Sequence, residues 1–129
     1  MNDYQNRRNP GPDADKARII QELVPGKQIT LAHIIANPDP VLYQKLGLDP
    51  AVDYASSAIG VVTVSPAETA IIIADIAMKS SGVELGFLDR FSGTLIVTGR
   101  FSDVDSALRA LTSYCEATLG YTVCPITKT

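Results

Sequence analysis

Tryptophan is absent from this 129-residue chain, histidine occurs once, cysteine twice, and only 19% of residues are charged. Each scarcity excludes something. A protein-supplied zinc site needs several nitrogen or sulfur ligands, and His33 with Cys115 and Cys124 is a poor set within one subunit. Only a metal or iron–sulfur site built from symmetry copies of Cys124 would remain. The two cysteines lack CxxC spacing and read as buried, reduced thiols. A lone histidine needs an orienting acid and a nucleophile to act as a base, and its stretch supplies neither. His33 therefore reads as a satisfied core or interface residue. No dinucleotide fingerprint, Walker motif or nucleophile elbow occurs. Gly82-Val83-Glu84-Leu85-Gly86 spaces its glycines suggestively, yet it opens a strand and not a helix.

Positive charge is also short. The net charge of −3 and a pI near 5.0 leave no basic face for a phosphate backbone. Phe87 and Phe91 lack the basic flanks of an RNA-binding sheet. No apolar run approaches the roughly 20 residues of a membrane span, and the polar start Met1-Asn2-Asp3-Tyr4-Gln5-Asn6 has no signal-peptide core. The expectation is a cytoplasmic, non-enzymatic protein without a cofactor, binding neither nucleic acid nor membrane. Mean hydropathy is nonetheless +0.13, high for a soluble monomer.

What is present is an order of elements. From Ala58 to Ile126 the pattern reads strand, helix, strand, strand, helix, strand, an α+β, ferredoxin-like βαββαβ core. Ser65-Pro66-Ala67-Glu68 suggests one helix start, with Ser65 as cap and Glu68 closing a capping box. Ser102-Asp103-Val104-Asp105 suggests the other. Val83–Leu88 and Thr94–Thr98 are short apolar runs joined by a turn at Asp89-Arg90-Phe91-Ser92-Gly93. Upstream, residues 1–16 have the composition of a disordered tail. Arg18–Val24 is extended and stops at Pro25-Gly26. Gln28–Ile35 is a second strand, Asp39–Leu46 a short helix capped by Asp39, and Ala51–Ser57 a linker. The last strand is expected at Tyr121–Cys124, continuing to Ile126, with Pro125 marking its end or an edge.

The helix from Pro66 to Ser80 is more apolar than one sheet requires. Ile71, Ile72 and Ile73 spread over about 200° of its circumference, whereas a single covered face needs about 100°. Asp75 and Lys79 form an i,i+4 pair, and Ala67, Ala70, Ala74 and Ala77 make a small-residue row. The surplus calls for a second partner, either copies of the chain or a packed N-terminal element. In the second helix Val104, Ala107, Leu108, Leu111, Cys115 and Leu119 follow a 3.6-residue spacing, with Asp105, Arg109 and Glu116 facing away and Gly120 as the stop.

The run Phe87-Leu88-Asp89-Arg90-Phe91-Ser92-Gly93-Thr94-Leu95 resembles bacterial microcompartment (BMC) shell proteins. Ala74–Leu85 is similar to that family's helix-to-strand passage, and Val97–Val104 to the strand entering its second helix. Arg18–Pro38 resembles the circularly permuted subclass from ethanolamine- and propanediol-utilisation compartments. The likeness spans residues 16–129. It implies a circularly permuted BMC domain, in which the strand and short helix of Gln28–Leu46, last in the ordinary family, come first. Two segments, 28–35 and 121–126, then compete for one place in the sheet.

The resemblance further implies a homohexameric structural tile of a compartment shell, with other shell proteins and cargo enzymes as partners. In the permuted subclass Arg18, Ile19, Ile20, Gln21, Glu22, Leu23 and Val24 would join their symmetry mates in a β-barrel over the central axis, capping or gating it. Arg90, Phe91, Ser92 and Gly93 match the loop facing that axis, or are a plain hairpin turn. Lys79 matches the lysine at hexamer–hexamer edges, or is a solvated partner of Asp75. Asn37 stands where the ordinary family has an edge arginine, and an amide cannot make the same planar multi-donor contact. The absence of cysteine from the axis loop speaks against the family's cluster-binding variants. The implied task is retaining an aldehyde-type intermediate of propanediol, ethanolamine, choline or similar metabolism. An oligomeric, ferredoxin-like domain binding a small regulatory ligand is the alternative.

Overall fold

The computed structural model describes residues 26–48 and 57–129. The expected tail (1–16), the barrel segment Arg18–Val24 and most of the expected linker Ala51–Ser57 lie outside the described residues. Gly26, at φ +86°, makes the turn that the Pro25-Gly26 pair calls for.

The chain runs β1 (Gln28–Ile35), α1 (Pro40–Lys45), β2 (Ala58–Ser65), α2 (Thr69–Ser80), β3 (Glu84–Asp89), β4 (Thr94–Gly99), α3 (Phe101–Ala117) and β5 (Thr127–Lys128). The sheet order is β3-β4-β2-β1-β5. Strands β2, β3 and β4 with α2 and α3 supply five of the six elements of the expected core. The sixth place, beside β2, is filled by β1, paired antiparallel from Gln28–Ser65 to Ile35–Ile59. The competition for that place is thus resolved in favour of the N-terminal strand, and β5 lies outside it, parallel to β1.

Helices α2 and α3 cover one sheet face. Ile29, Ile34, Val62, Val64, Leu95 and Val97 from the strands pack there with Ala70, Ile73, Ala77, Val104, Leu108 and Leu111. Five of the six apolar positions read on α3 are buried in this core, and Leu119, past the helix end, packs at its border. Gly60 lets α3 come close: a Cβ there would stand 2.8 Å from Val104 Cγ1. Among the described residues the other face is covered at one end, where Tyr43 and Leu48 meet Ile59 and Ile96. Asp39 caps α1 as expected, accepting from the Val41 amide at 2.9 Å.

Three expectations need correction. Ser65 does not cap α2: it is the last residue of β2, opposite Gln28, and its peptide to Pro66 is cis. Pro66, Ala67 and Glu68 each accept an i→i+3 bond, and α2 proper starts at Thr69 with no side-chain cap. Ser102 lies inside α3. Arg100 is the cap residue, because its carbonyl already accepts from both Asp103 and Val104 at 3.0 Å. Finally, Tyr121–Ile126 is not a strand. Tyr121 is tied to the end of α3 through its amide bond to the Cys115 carbonyl, and Thr122 makes only an isolated bridge to Gln28. Pro125 has no N–H to donate to a ladder, so regular pairing resumes only at Thr127.

Candidate functional site

Two surfaces among the described residues carry the side chains singled out in the sequence. The first is the outer face of α2. Ile73 is fully buried, whereas Ile71 and Ile72 are 48% and 46% exposed and Met78 44%. At about 100° per residue, Ile71 and Met78 lie on one line and Ile72 on a second. Asp75 and Lys79 fall between these lines, joined at 2.9 Å. The carboxylate's hydrogen bond and charge raise the Lys79 pKa above its ordinary value. The face is thus two apolar flanks with an exposed ion pair between them. Ala70, Ala74 and Ala77 are buried on the opposite side, in the core shared with α3.

The second is the hairpin Arg90–Gly93 between β3 and β4. Asp89 organises it by accepting from the Phe91 amide at 2.9 Å through its side chain and from the Gly93 amide at 2.9 Å through its carbonyl. The backbone bond from Phe91, assisted by the Ser92 hydroxyl, holds the Asp89 carboxyl below the usual carboxylate range. Gly93 takes φ +79°, and its carbonyl accepts from Val64 at 2.9 Å, tying the loop to β2. Phe91 is 81% exposed, with the Arg90 guanidinium 5.0 Å from its ring centre. The tip therefore combines a rigid base with a bare aromatic ring.

The structure sorts these residues to opposite ends of the sheet. Gln28, Ser65, Gly93 and the start of α2 share one end. Asn37, exposed after β1, and Lys79, exposed near the end of α2, belong to the other. The length of β4 separates the two ends, about 17 Å. The described chain begins with Gly26 at the hairpin end. The sequence reading missed two further features. One is the partly open sheet face, where Leu31 and Phe87 are 40% and 44% exposed. The other is the fastening of the C-terminal segment, where His33 bonds Thr127 and Thr129 through its two ring nitrogens at 2.6 and 2.9 Å. The alternation of β1 placed His33 on a face but could not name its partners.

Cys115 is buried, which pushes its thiol pKa up, and Cys124 is half-buried; both are free. Among the described residues no group of three or more His, Cys, Asp and Glu could hold a metal ion, and no helix is long and apolar enough to cross a membrane.

The profile of the BMC domain matches residues 58–127. The bacterial microcompartment shell protein PduU of Salmonella typhimurium (strain LT2) is 53% identical over 112 residues, covering 87% of this chain and 93% of that protein. The shell protein EutS of Escherichia coli (strain K12) is 49% identical over 114 residues, covering 88% and 98%. Among solved structures, a flat hexamer of CutR (form 1) superposes with a TM-score of 0.75 at 43% identity, covering 82% of this chain and 94% of that one. The matched domain begins at β2, so the strand filling the sixth place precedes it in the chain. The chain belongs to the BMC domain family, among its circularly permuted microcompartment shell proteins.

Proposed function

We propose that six copies of the chain close into a ring that serves as one tile of a compartment shell, and that the N-terminal segment caps the ring's axis. The observation that carries this reading is the exposure of Ile71 and Ile72 beside a fully buried Ile73. Covering the half of each side chain left in water is worth roughly 1 kcal/mol per isoleucine, repeated at every interface of a closed ring. The hexameric assembly of CutR, at 43% identity, supports the same count.

The two ends of the sheet take different tasks. Arg90–Gly93 faces the axis, and Arg18–Val24, attached at that end, pairs with its symmetry mates into a small barrel above it. Lys79 and Asn37, at the far end, meet the neighbouring tile. Along α2, Ile71 and Lys79 are separated by about 12 Å, enough for Ile71 and Ile72 to lie inside the ring while Lys79 reaches its rim. The shell's work is geometric, with matched edges forming a barrier that retains an aldehyde-type intermediate and one face left to dock cargo enzymes.

Native mass spectrometry of the purified chain tests the ring directly, with a hexamer expected at micromolar concentration. Ile72→Glu should yield folded monomers, and Lys79→Ala should keep the hexamer while abolishing ordered sheets in electron micrographs. A wild-type chain that remains monomeric under these conditions would refute the reading.

A further inference from the structure

The strand that fills the permuted place carries a hazard. Gln28–Ile35 has eight residues, three of them Ile, with neither proline nor any Asp, Glu, Lys or Arg. Such a segment, left as a bare edge, is a template for pairing with further copies of itself. The opposite edge of the sheet guards itself. Strand β3 begins and ends on carboxylates, Glu84 and Asp89, and its register is broken between Leu85 and Phe87. Strand β1 has a bulge of its own between Ile29 and Leu31, but it carries no carboxylate, lysine or arginine, and its register runs unbroken from Leu31 to Ile35.

The outer flank of β1 is instead covered by the C-terminal segment, which touches it at two places. Near its start, Ile29 donates to the Thr122 carbonyl at 2.9 Å and Thr122 to the Lys27 carbonyl at 3.1 Å. Near its end, Ala36 donates to the Thr129 carbonyl and Thr129 to the Ile34 carbonyl, both at 2.9 Å. Residues 127–129 are exposed, so burial does little to hold them. Side chains fasten them on both faces. His33 holds the hydroxyls of Thr127 and Thr129 on one face. On the other, Lys128 stands 3.6 Å from Asp105 Oδ1 and 5.5 Å from the Phe101 ring centre. Asp105 Oδ1 is buried without a hydrogen bond of its own, and the ammonium stands against this oxygen while Arg109 holds the other at 2.9 Å.

We propose that residues 127–129 are a fastened edge guard that keeps β1 from pairing, edge to edge, with a second copy of the chain. Its fastenings are His33 with the two threonines and Lys128 with Asp105. Opening the guard exposes the Ile34–Ala36 stretch and admits open-ended strand addition in place of closed assembly.

The test uses the full chain with Thr127→Ala and Thr129→Pro together, which removes both hydroxyls and the Thr129 amide donor. Amide exchange at Ala36 should accelerate at least tenfold while Ile29, held by Thr122, stays protected. The variant should also grow, with time and concentration, into thioflavin-positive assemblies larger than any the wild type forms. Lys128→Glu, which leaves both threonines in place, should give the same two effects in weaker form should the double variant fail to fold. Adding Leu31→Lys to either variant places a charge on the exposed strand, and should suppress growth while leaving Ala36 exchange fast. Unchanged exchange at Ala36 would overturn the fastening. Fast exchange without growth, or growth that Leu31→Lys does not reduce, would overturn the guard.

Discussion

Val64 and Gly93 are joined backbone to backbone, the Val64 amide donating to the Gly93 carbonyl at 2.9 Å, and this single bond anchors the hairpin tip to the central strand. Gly93 is suited to the place on two counts. Its φ of +79° is one that side chains resist, and a Cβ would collide with the Val64 carbonyl oxygen. Gly93→Ala should therefore destabilise the subunit by at least about 2 kcal/mol, read as a lower denaturant midpoint. Gly47→Ala is the control: its φ is +70°, but nothing lies within 4 Å of the added carbon. Its cost should be about 1 kcal/mol from conformation alone. Equal losses would mean that the contact with Val64 does not constrain the loop.

Neighbouring isoleucines on α2 should separate folding from assembly. Ile73 is fully buried, so Ile73→Ala should cost the subunit about 2–5 kcal/mol. Ile72 is 46% exposed, and Ile72→Ala should change subunit stability by no more than about 0.5 kcal/mol. The same change should weaken the ring, shifting the concentration at which native mass spectrometry shows monomer. An Ile72→Ala ring as tight as the wild type would remove that face from the interface.

The approach of α3 to the sheet depends on Gly60. A Cβ there would meet Val104 Cγ1 at 2.8 Å, and Leu108 Cδ1 and Val97 Cγ2 at 3.0 Å. Those neighbours are themselves buried. Gly60→Ala should overpack this layer and cost about 1–3 kcal/mol by thermal or chemical denaturation. Gain of stability would show that α3 can slide to accept the methyl group.

What was legible in the sequence follows from how local each cause is. The Asp39 cap and the ends of β1 were readable because the deciding residues adjoin one another. The burial stripe of α3 was readable from its periodicity. The starts of α2 and α3 were misplaced, since the position of Ser65 is set by its pairing with Gln28 and that of Arg100 by the bonds its carbonyl accepts. Those constraints come from the fold around them and outweigh a local capping pattern. The resemblance named the candidate surfaces, but only the sheet order shows the hairpin at one end and Lys79 and Asn37 at the other. The clasp between His33 and Thr127 spans 94 positions of sequence, and no pattern within β1 points to it.

Asp105 supplies the pH signature of the α3 surface. Arg109 Nε donates to its Oδ2 at 2.9 Å, and this bond, more than any other contact, holds the carboxyl below its ordinary value of 3.8 against the desolvation that opposes it. Lys128, 3.6 Å from the other oxygen, acts in the same direction through charge, at a distance too long for a hydrogen bond. A carboxyl depressed in the folded state contributes stability that is complete above its unfolded pKa and disappears as pH falls through its folded one. The wild type should therefore be more stable than Asp105→Asn at pH 6. The difference should begin to shrink below about pH 4 and vanish once both forms are neutral at that site. Denaturant midpoints for the two proteins from pH 6 down to the acid limit of folding give the comparison. The gap should also narrow with added salt, because the Arg109 side chain is 63% exposed and its attraction is screened. A gap that stays constant as the carboxyl titrates would assign the effect of Asp105 to packing and not to its charge.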